Sequence, residues 1–255
     1  MNAPASTEIT ATKVERRAAT PIAGAVAGIL FAVLFGVSVT IIDNTMADVA
    51  KDTGAWLEIG AGRFRFALGL VPFAGLFFLW FIAVARERLG RFEDQFFSTV
   101  FLGSGLLFLA MMFAAAASAA AIAASYARLP ADFAASSTYL YARQIVAQIF
   151  NVYALRMAAV FLISQATLWM RTGVMPRWMA LLTYVVALVL LFIVTQASWV
   201  ILVFPAWVFL MSTYILVAHC RAISMRSVAS SSSIRSPLTS TTTFCSVPVK
   251  TAGGA

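Results

Sequence analysis

The chain is predicted to be an all-α integral membrane protein, a bundle of six transmembrane helices. Hydrophobic residues make up 62% of its 255 residues and charged residues 11%, against roughly 45–50% and 25% in soluble domains. The apolar residues form long continuous runs and do not alternate, which excludes a membrane barrel. Because unpaired backbone amides are costly in lipid, such runs fold as helices.

The limits of the apolar runs define the predicted spans. The last run, 178–218, is too long for one crossing, since a helix of that length would extend about 60 Å against a hydrocarbon core of about 30 Å. The polar tetrad at 195–198 is the predicted turn within it. The six predicted spans are about 21–42, 66–85, 96–124, 145–170, 178–195 and 199–218.

Lysine and arginine are distributed unevenly between the two sides of the predicted bundle. Twelve of the 18 fall on the side of the two termini and five on the other, with Arg156 inside a span. The positive-inside bias therefore places both termini in the cytoplasm. This topology also explains the net charge of +8, so we expect the lipid bilayer as partner and no nucleic acid.

Polar segments flank the transmembrane domain, which is assigned to residues 21–220. Residues 1–20 form a polar cytoplasmic N-terminus. Residues 221–255 are rich in serine and threonine with few apolar side chains. Such a segment cannot bury enough surface to offset the entropy of folding, so we expect a disordered cytoplasmic tail.

Arg156 is the single charged residue within the six apolar runs. It lies about midway along the fourth run, where an arginine costs roughly 2.5–3.5 kcal/mol on insertion scales. The amides Gln144, Gln148 and Asn151 lie on one flank of the same predicted helix. These four residues are the candidate intramembrane polar site, and we expect their flank to face the bundle.

Two interpretations of Arg156 stay open. In the first, it lines a polar cavity that favours a polar or anionic ligand. In the second, it is a structural arginine that joins helices. No acidic residue lies in any apolar run, so the expected partners of the guanidinium are carbonyls freed by Pro72 or Pro205, or water.

The first span carries a small residue at every fourth position. Such a stripe lets another helix backbone come close, and close packing replaces the hydrophobic effect that lipid cannot supply. The stripe predicts helix packing inside the bundle, with a homodimer face as the alternative. Its members are Gly24, Gly28, Ala32 and Gly36.

Side chains suited to catalysis or metal binding are scarce in the sequence. There is one histidine, and the two cysteines, Cys220 and Cys245, have no other metal-ligating residues near them. A metal site or an acid–base pair cannot be assembled from these. Phosphate-binding and dinucleotide-binding glycine motifs are absent as well. No catalytic residue, metal or cofactor is predicted, and the chain is not expected to be an enzyme.

One segment resembles a known group of proteins. Arg88-Leu89-Gly90, then Glu93-Asp94, then the run from Phe96 to Phe108 is similar to a signature of uncharacterised bacterial multi-pass membrane proteins. The resemblance covers residues 88–108. It implies a bacterial plasma membrane and no particular activity.

Composition and motifs favour one function class over another. The favoured class is a non-enzymatic multi-pass membrane protein that binds a membrane or cytoplasmic protein or has a structural role. The alternative is a small permease or transporter subunit for a polar or anionic solute, with a cavity near Arg156. A polar cavity reaching Arg156 would favour the permease, whereas a closed, packed helix core would favour the first class.

The predicted topology can be tested with reporter fusions in a bacterial host. A reporter that is active only in the cytoplasm should give a signal when it is joined after Arg221, because the basic residues keep that end inside. A reporter that is active only in the periplasm should give none there. The matched control is a fusion after Asp52, in the first predicted external loop, which should report the opposite side. A periplasmic signal from the Arg221 fusion would overturn the assignment.

Overall fold

Six helices make up the fold in a computed structural model, which describes residues 5–45, 60–89, 95–128, 136–173, 175–192 and 198–233. Every regular element in these ranges is helical. The predicted turn at 195–198 lies almost wholly outside them, as do residues 46–59 and 129–135 between the predicted spans. The helices are α1 Ala5–Thr45, α2 Ala61–Leu89, α3 Gln95–Arg128, α4 Ser137–Thr172, α5 Arg177–Phe192 and α6 Ser198–Ser233.

Each predicted span overlaps one of these helices, although α1, α4 and α6 extend beyond the predicted limits and α5 ends three residues before its limit at 195. Five of the helices are long and apolar enough to cross a membrane. The other, α5, is apolar but has 16 residues, which extend about 24 Å at 1.5 Å per residue. The prediction of an all-helical chain is therefore confirmed for the described residues.

The chain divides into two compact units, Met1–His219 and Cys220–Ala255. The first unit is the helical bundle. In the second, α6 continues to Ser233, past the boundary at residue 220 where the sequence predicted a disordered tail. No proline or glycine interrupts the chain there, so nothing local ends the helix. Residues 234–255 lie outside the described ranges.

The first four helices alternate in direction. Ile42 near the end of α1, Phe64 near the start of α2 and Tyr139 near the start of α4 pack in one cluster with the end of α3. At the other end of the bundle, the guanidinium of Arg171 in α4 lies 4.7 Å from the centroid of the Phe97 ring in α3. The first four helices therefore pack antiparallel to their neighbours in the chain, as short connections favour.

Phenylalanine rings fill the centre of the bundle. Phe78 of α2 is fully buried, and its ring centroid lies 4.6 Å from that of Phe31 in α1 and 5.3 Å from that of Phe108 in α3. The rings of Phe161 in α4 and Phe204 in α6 follow at 5.5 Å and 5.9 Å. Tilted and edge-on ring pairs at such distances are favourable beyond the area that they bury. Phe78 thus joins four other helices around one side chain.

The small-residue stripe of α1 packs inside the bundle along most of its length. A Cβ atom on Gly24 would lie 2.6 Å from Val84 of α2. A Cβ on Gly28 would collide with the Ser212 hydroxyl of α6 and lie 3.0 Å from Phe81. Ala32 is buried, but Gly36 has no neighbour within 4 Å of a Cβ. Two members of the stripe thus allow close approach of α2 and α6, and its last position is open.

We expect Gly28→Ala to destabilise the bundle. Ser212 and Phe81 are both buried and have little room to move, so overpacking should cost about 1–3 kcal/mol in the free energy of unfolding. Denaturant unfolding of the detergent-solubilised protein, followed by circular dichroism, measures this. Gly36→Ala is the matched control and should change stability by less than about 0.5 kcal/mol. Equal effects would contradict the packing described for Gly28.

Candidate functional site

The predicted polar residues are carried by α4, whose ends have clear local causes. Ser136 caps the first turn, with its hydroxyl accepting a hydrogen bond from the Tyr139 amide at 3.3 Å. Gly173 ends the helix in the left-handed conformation at φ 63°, which glycine adopts without a steric penalty. The helix therefore begins before the predicted span at 145–170, and the polar residues all lie on one continuous helix.

A π-helical segment, Ile149–Ala154, interrupts the α-helical geometry of α4. Within it the Leu155 amide donates to the carbonyl of Phe150, five residues earlier. In a regular α-helix, residues five apart are rotated by about 140°. A π turn accommodates one extra residue, so residues five apart across it are rotated by only about 40°, as residues four apart are in an α-helix. The segment therefore brings Asn151 and Arg156 onto the same side of α4.

The four predicted site residues share one face, and this face points away from the bundle core. Gln144 and Gln148 are exposed, and Asn151 and Arg156 are half-buried. Toward the C-terminus the same line continues through half-buried or exposed residues. The sequence predicted that this flank would face inward. It lies outward because the opposite face supplies Phe161 and its buried neighbours to the aromatic core.

Arg156 finds its hydrogen-bond partner on its own helix. Its Nη1 donates to the Val152 carbonyl, within the π-helical segment, at 3.4 Å. This distance is beyond the usual range for such a bond. A backbone carbonyl was the expected kind of partner, but it comes from α4 and not from the turns above Pro72 or Pro205. No carboxylate among the described residues pairs with the guanidinium.

One cavity in the described part of the chain lies away from Arg156. It is a groove of about 320 Å³ between α2 and α3. Its lining is apolar throughout and includes Leu68, Pro72, Phe113 and Ala117. Arg156 is not among its lining residues, so this groove is not the polar cavity that the permease interpretation requires.

Arg143 is a buried charged residue that the sequence analysis did not predict. It is one of the five basic residues that the topology prediction places on the side away from the termini, yet only 6% of it is exposed. It lies one turn after the fully buried Tyr139, and both face the interior. The helix start at Ser137 could have indicated this, because it makes residues 139 and 143 neighbours on one helix face. The most deeply buried described arginine is thus Arg143 and not Arg156.

A second set of polar groups lies along α6. Trp207 Nε1 and Ser212 Oγ are buried and have no hydrogen-bond partner in the part of the chain that is described. His219 Nε2 is in the same situation. The Ser212 hydroxyl is directed at Gly28 of α1, where the missing side chain makes room for it. These groups are spread along the helix and do not converge on one point.

Comparisons with known proteins return no match for this chain among family models, curated proteins or solved structures. Within the described residues, no three His, Cys, Asp or Glu side chains are grouped to hold a metal ion. The functional argument therefore rests on the geometry of the helices.

Replacing the two arginines by alanine should separate their roles. Arg143→Ala removes a buried side chain and leaves a cavity, so we expect a loss of about 2 kcal/mol or more in the free energy of unfolding. Arg156→Ala, the matched control, removes a half-buried side chain outside the core and should cost less than Arg143→Ala, at most about 1 kcal/mol. Unfolding in detergent measures both. A larger loss for Arg156 would contradict the burial described above.

Proposed function

We propose that this chain is a six-span integral protein of a bacterial plasma membrane, with both termini in the cytoplasm. We propose further that it catalyses no reaction and acts by binding a protein partner or as a structural component. The resemblance at residues 88–108 supports the bacterial membrane. The excess of basic residues on the side of the termini supports the orientation.

The observation that carries the membrane location is the outer surface of the helices. Large apolar side chains are exposed along it, among them Phe73, Trp80, Val185 and Leu210, each more than half exposed. A soluble monomer rarely exposes a continuous surface of this kind. Hydrocarbon chains solvate such a surface without cost.

The short helix α5 fits a sixth crossing. It exposes Leu181, Val185 and Leu188, one line of residues at helical spacing. Its length of about 24 Å is below the average hydrocarbon thickness of about 30 Å. Local thinning of the bilayer accommodates such a mismatch at modest cost.

The filled core supports a non-catalytic, non-transporting role. Phe31, Phe78, Phe108, Phe161 and Phe204 are all buried where a central solute pathway would run. Moving them aside would forfeit dispersion contacts and ring pairs that hold five helices together. A closed, packed core is the arrangement expected for the partner-binding or structural class.

A small permease or transporter subunit for a polar or anionic solute remains the second candidate. The observation that favours it is the π-helical segment beside Arg156. Such segments recur at functional sites. A water-filled cavity reaching Arg156 would be needed for this role.

Thiol accessibility of Arg156→Cys distinguishes the two candidates, in a background with Cys220→Ser and Cys245→Ser. The first candidate predicts that the new thiol reacts with a membrane-permeant maleimide and resists a charged methanethiosulfonate, because it faces lipid. A permease cavity predicts rapid reaction with the charged reagent. Labelling is read by mass spectrometry on intact cells and inverted vesicles.

Tyr141→Cys in the same background is the matched control. Tyr141 is exposed near the start of α4, at the predicted membrane surface, and should react with both reagents. The protein should also remain in the membrane after an alkaline carbonate wash. Its release by that wash would overturn the proposed location.

A further inference from the structure

Arg156 is placed at an energetically demanding position. It lies roughly 17–21 Å along the helix from either end of the apolar run at 145–170, close to the bilayer midplane. It also lies on the outer face of α4, among the exposed Gln148 and Tyr153. Polar residues inside membrane segments are expected to face a bundle interior or a cavity. This face is the exterior of the bundle.

Among the residues that the structure describes, no acidic side chain compensates this charge. Within the described ranges, the guanidinium makes one hydrogen bond, the 3.4 Å contact to the Val152 carbonyl. A second copy of the chain could not supply a counter-charge at this depth, because none of the six apolar runs contains Asp or Glu. A homodimer would instead bring two arginines together in a medium of low dielectric constant, where like charges repel strongly.

We propose that the outer face of α4 binds a transmembrane helix of a different protein, and that this helix carries Asp or Glu at the depth of Arg156. The proposal rests on the membrane location proposed above and names the kind of partner. Charge complementarity commits it to an acidic helix. A carboxylate and a guanidinium can form a bidentate, charge-assisted pair, which is strongest where water is excluded.

The π-helical segment prepares this face for such a partner. By aligning Asn151 with Arg156, it places an amide donor one turn from the guanidinium. Gln144 and Gln148 extend the polar line toward the start of α4. Amide side chains form hydrogen bonds between transmembrane helices, so the four residues supply donors along more than two turns. The acid fixes the depth of the partner, and the amides fix its register.

A lipid phosphate is a poorer match for Arg156. Arginines that reach the headgroups lie near helix ends, whereas this one is roughly 17–21 Å along the helix from either end of its run. The hydrogen bond to Val152 draws the guanidinium toward the start of α4 by about one turn, which is well short of the headgroup layer. The lipid arrangement is treated below as an outcome of the test.

The test uses the full chain in phosphatidylcholine vesicles with synthetic transmembrane peptides. The peptides consist of leucine and alanine with a single Asp or a single Leu at the centre. Energy transfer from a fluorophore on Cys220, which is exposed, in a Cys245→Ser background, measures peptide association. We expect the Asp peptide to bind about 5–30-fold more tightly than the Leu peptide.

Three variants define the result. Arg156→Leu should bind both peptides equally, whereas Met157→Leu, a neighbouring matched control, should keep the preference. Arg156→Asp should prefer a peptide with a central Lys, since only the signs of the charges are exchanged. The thermal melting of each variant verifies that it is folded.

Two results would overturn the proposal. In the first, wild type and Arg156→Leu bind the Asp peptide equally. In the second, Arg156 recruits phosphatidylglycerol in mixed vesicles and the Asp peptide has no advantage, which would assign the arginine to a lipid phosphate. Both leave the membrane location standing. Failure of the wild-type chain to float with the vesicles would instead refute that location.

Discussion

The fold depends on the packing of one set of phenyl rings around Phe78. In water, burial of apolar area would hold such rings together. Between helices in lipid that driving force is absent, because the solvent is as apolar as the core. Association then depends on dispersion and ring geometry, which require close contact. The Phe78 ring lies within 6 Å, between centroids, of rings from four other helices. The packing of five of the six helices therefore depends on this one side chain.

The aromatic core also decides the orientation of α4. Phe161 stacks on Phe101 with ring centroids 4.5 Å apart, and this contact commits one side of the helix to the interior. The polar line that contains Arg156 must then lie on the other side. A charge that could have entered the core is thereby moved to the surface of the bundle. The same constraint places Arg156 on the face that we propose as the binding surface for an acidic transmembrane helix.

Hydroxyl groups are mostly satisfied inside their own helices. Thr40, Ser104, Ser164 and Thr183 each donate to the carbonyl four residues earlier, at 2.7–2.9 Å. Such bonds remove the cost of an unpaired hydroxyl group in lipid. Because they lie within one helix, the helices are joined mainly by the packing of their side chains. Ser38 is an exception, because its hydroxyl donates to the Ala67 carbonyl of α2 at 2.8 Å. That bond adds a directional contact between α1 and α2 at the end of the pair remote from Gly24.

The sequence alone determined the helical class, the six segments and the stripe from Gly24 to Ala32, because each depends on local composition or on helical spacing. Tertiary structure decided which face of each helix is buried. For α4 the outcome depended on Phe161 meeting Phe78 and on the π-helical segment, and neither follows from periodicity, since one inserted residue rotates everything after it by about 100°. Arg143 was misjudged for a similar reason, because its burial depends on neighbours far away in the chain. Whether a residue is buried depends on contacts between helices. The residue pattern of one helix does not specify those contacts.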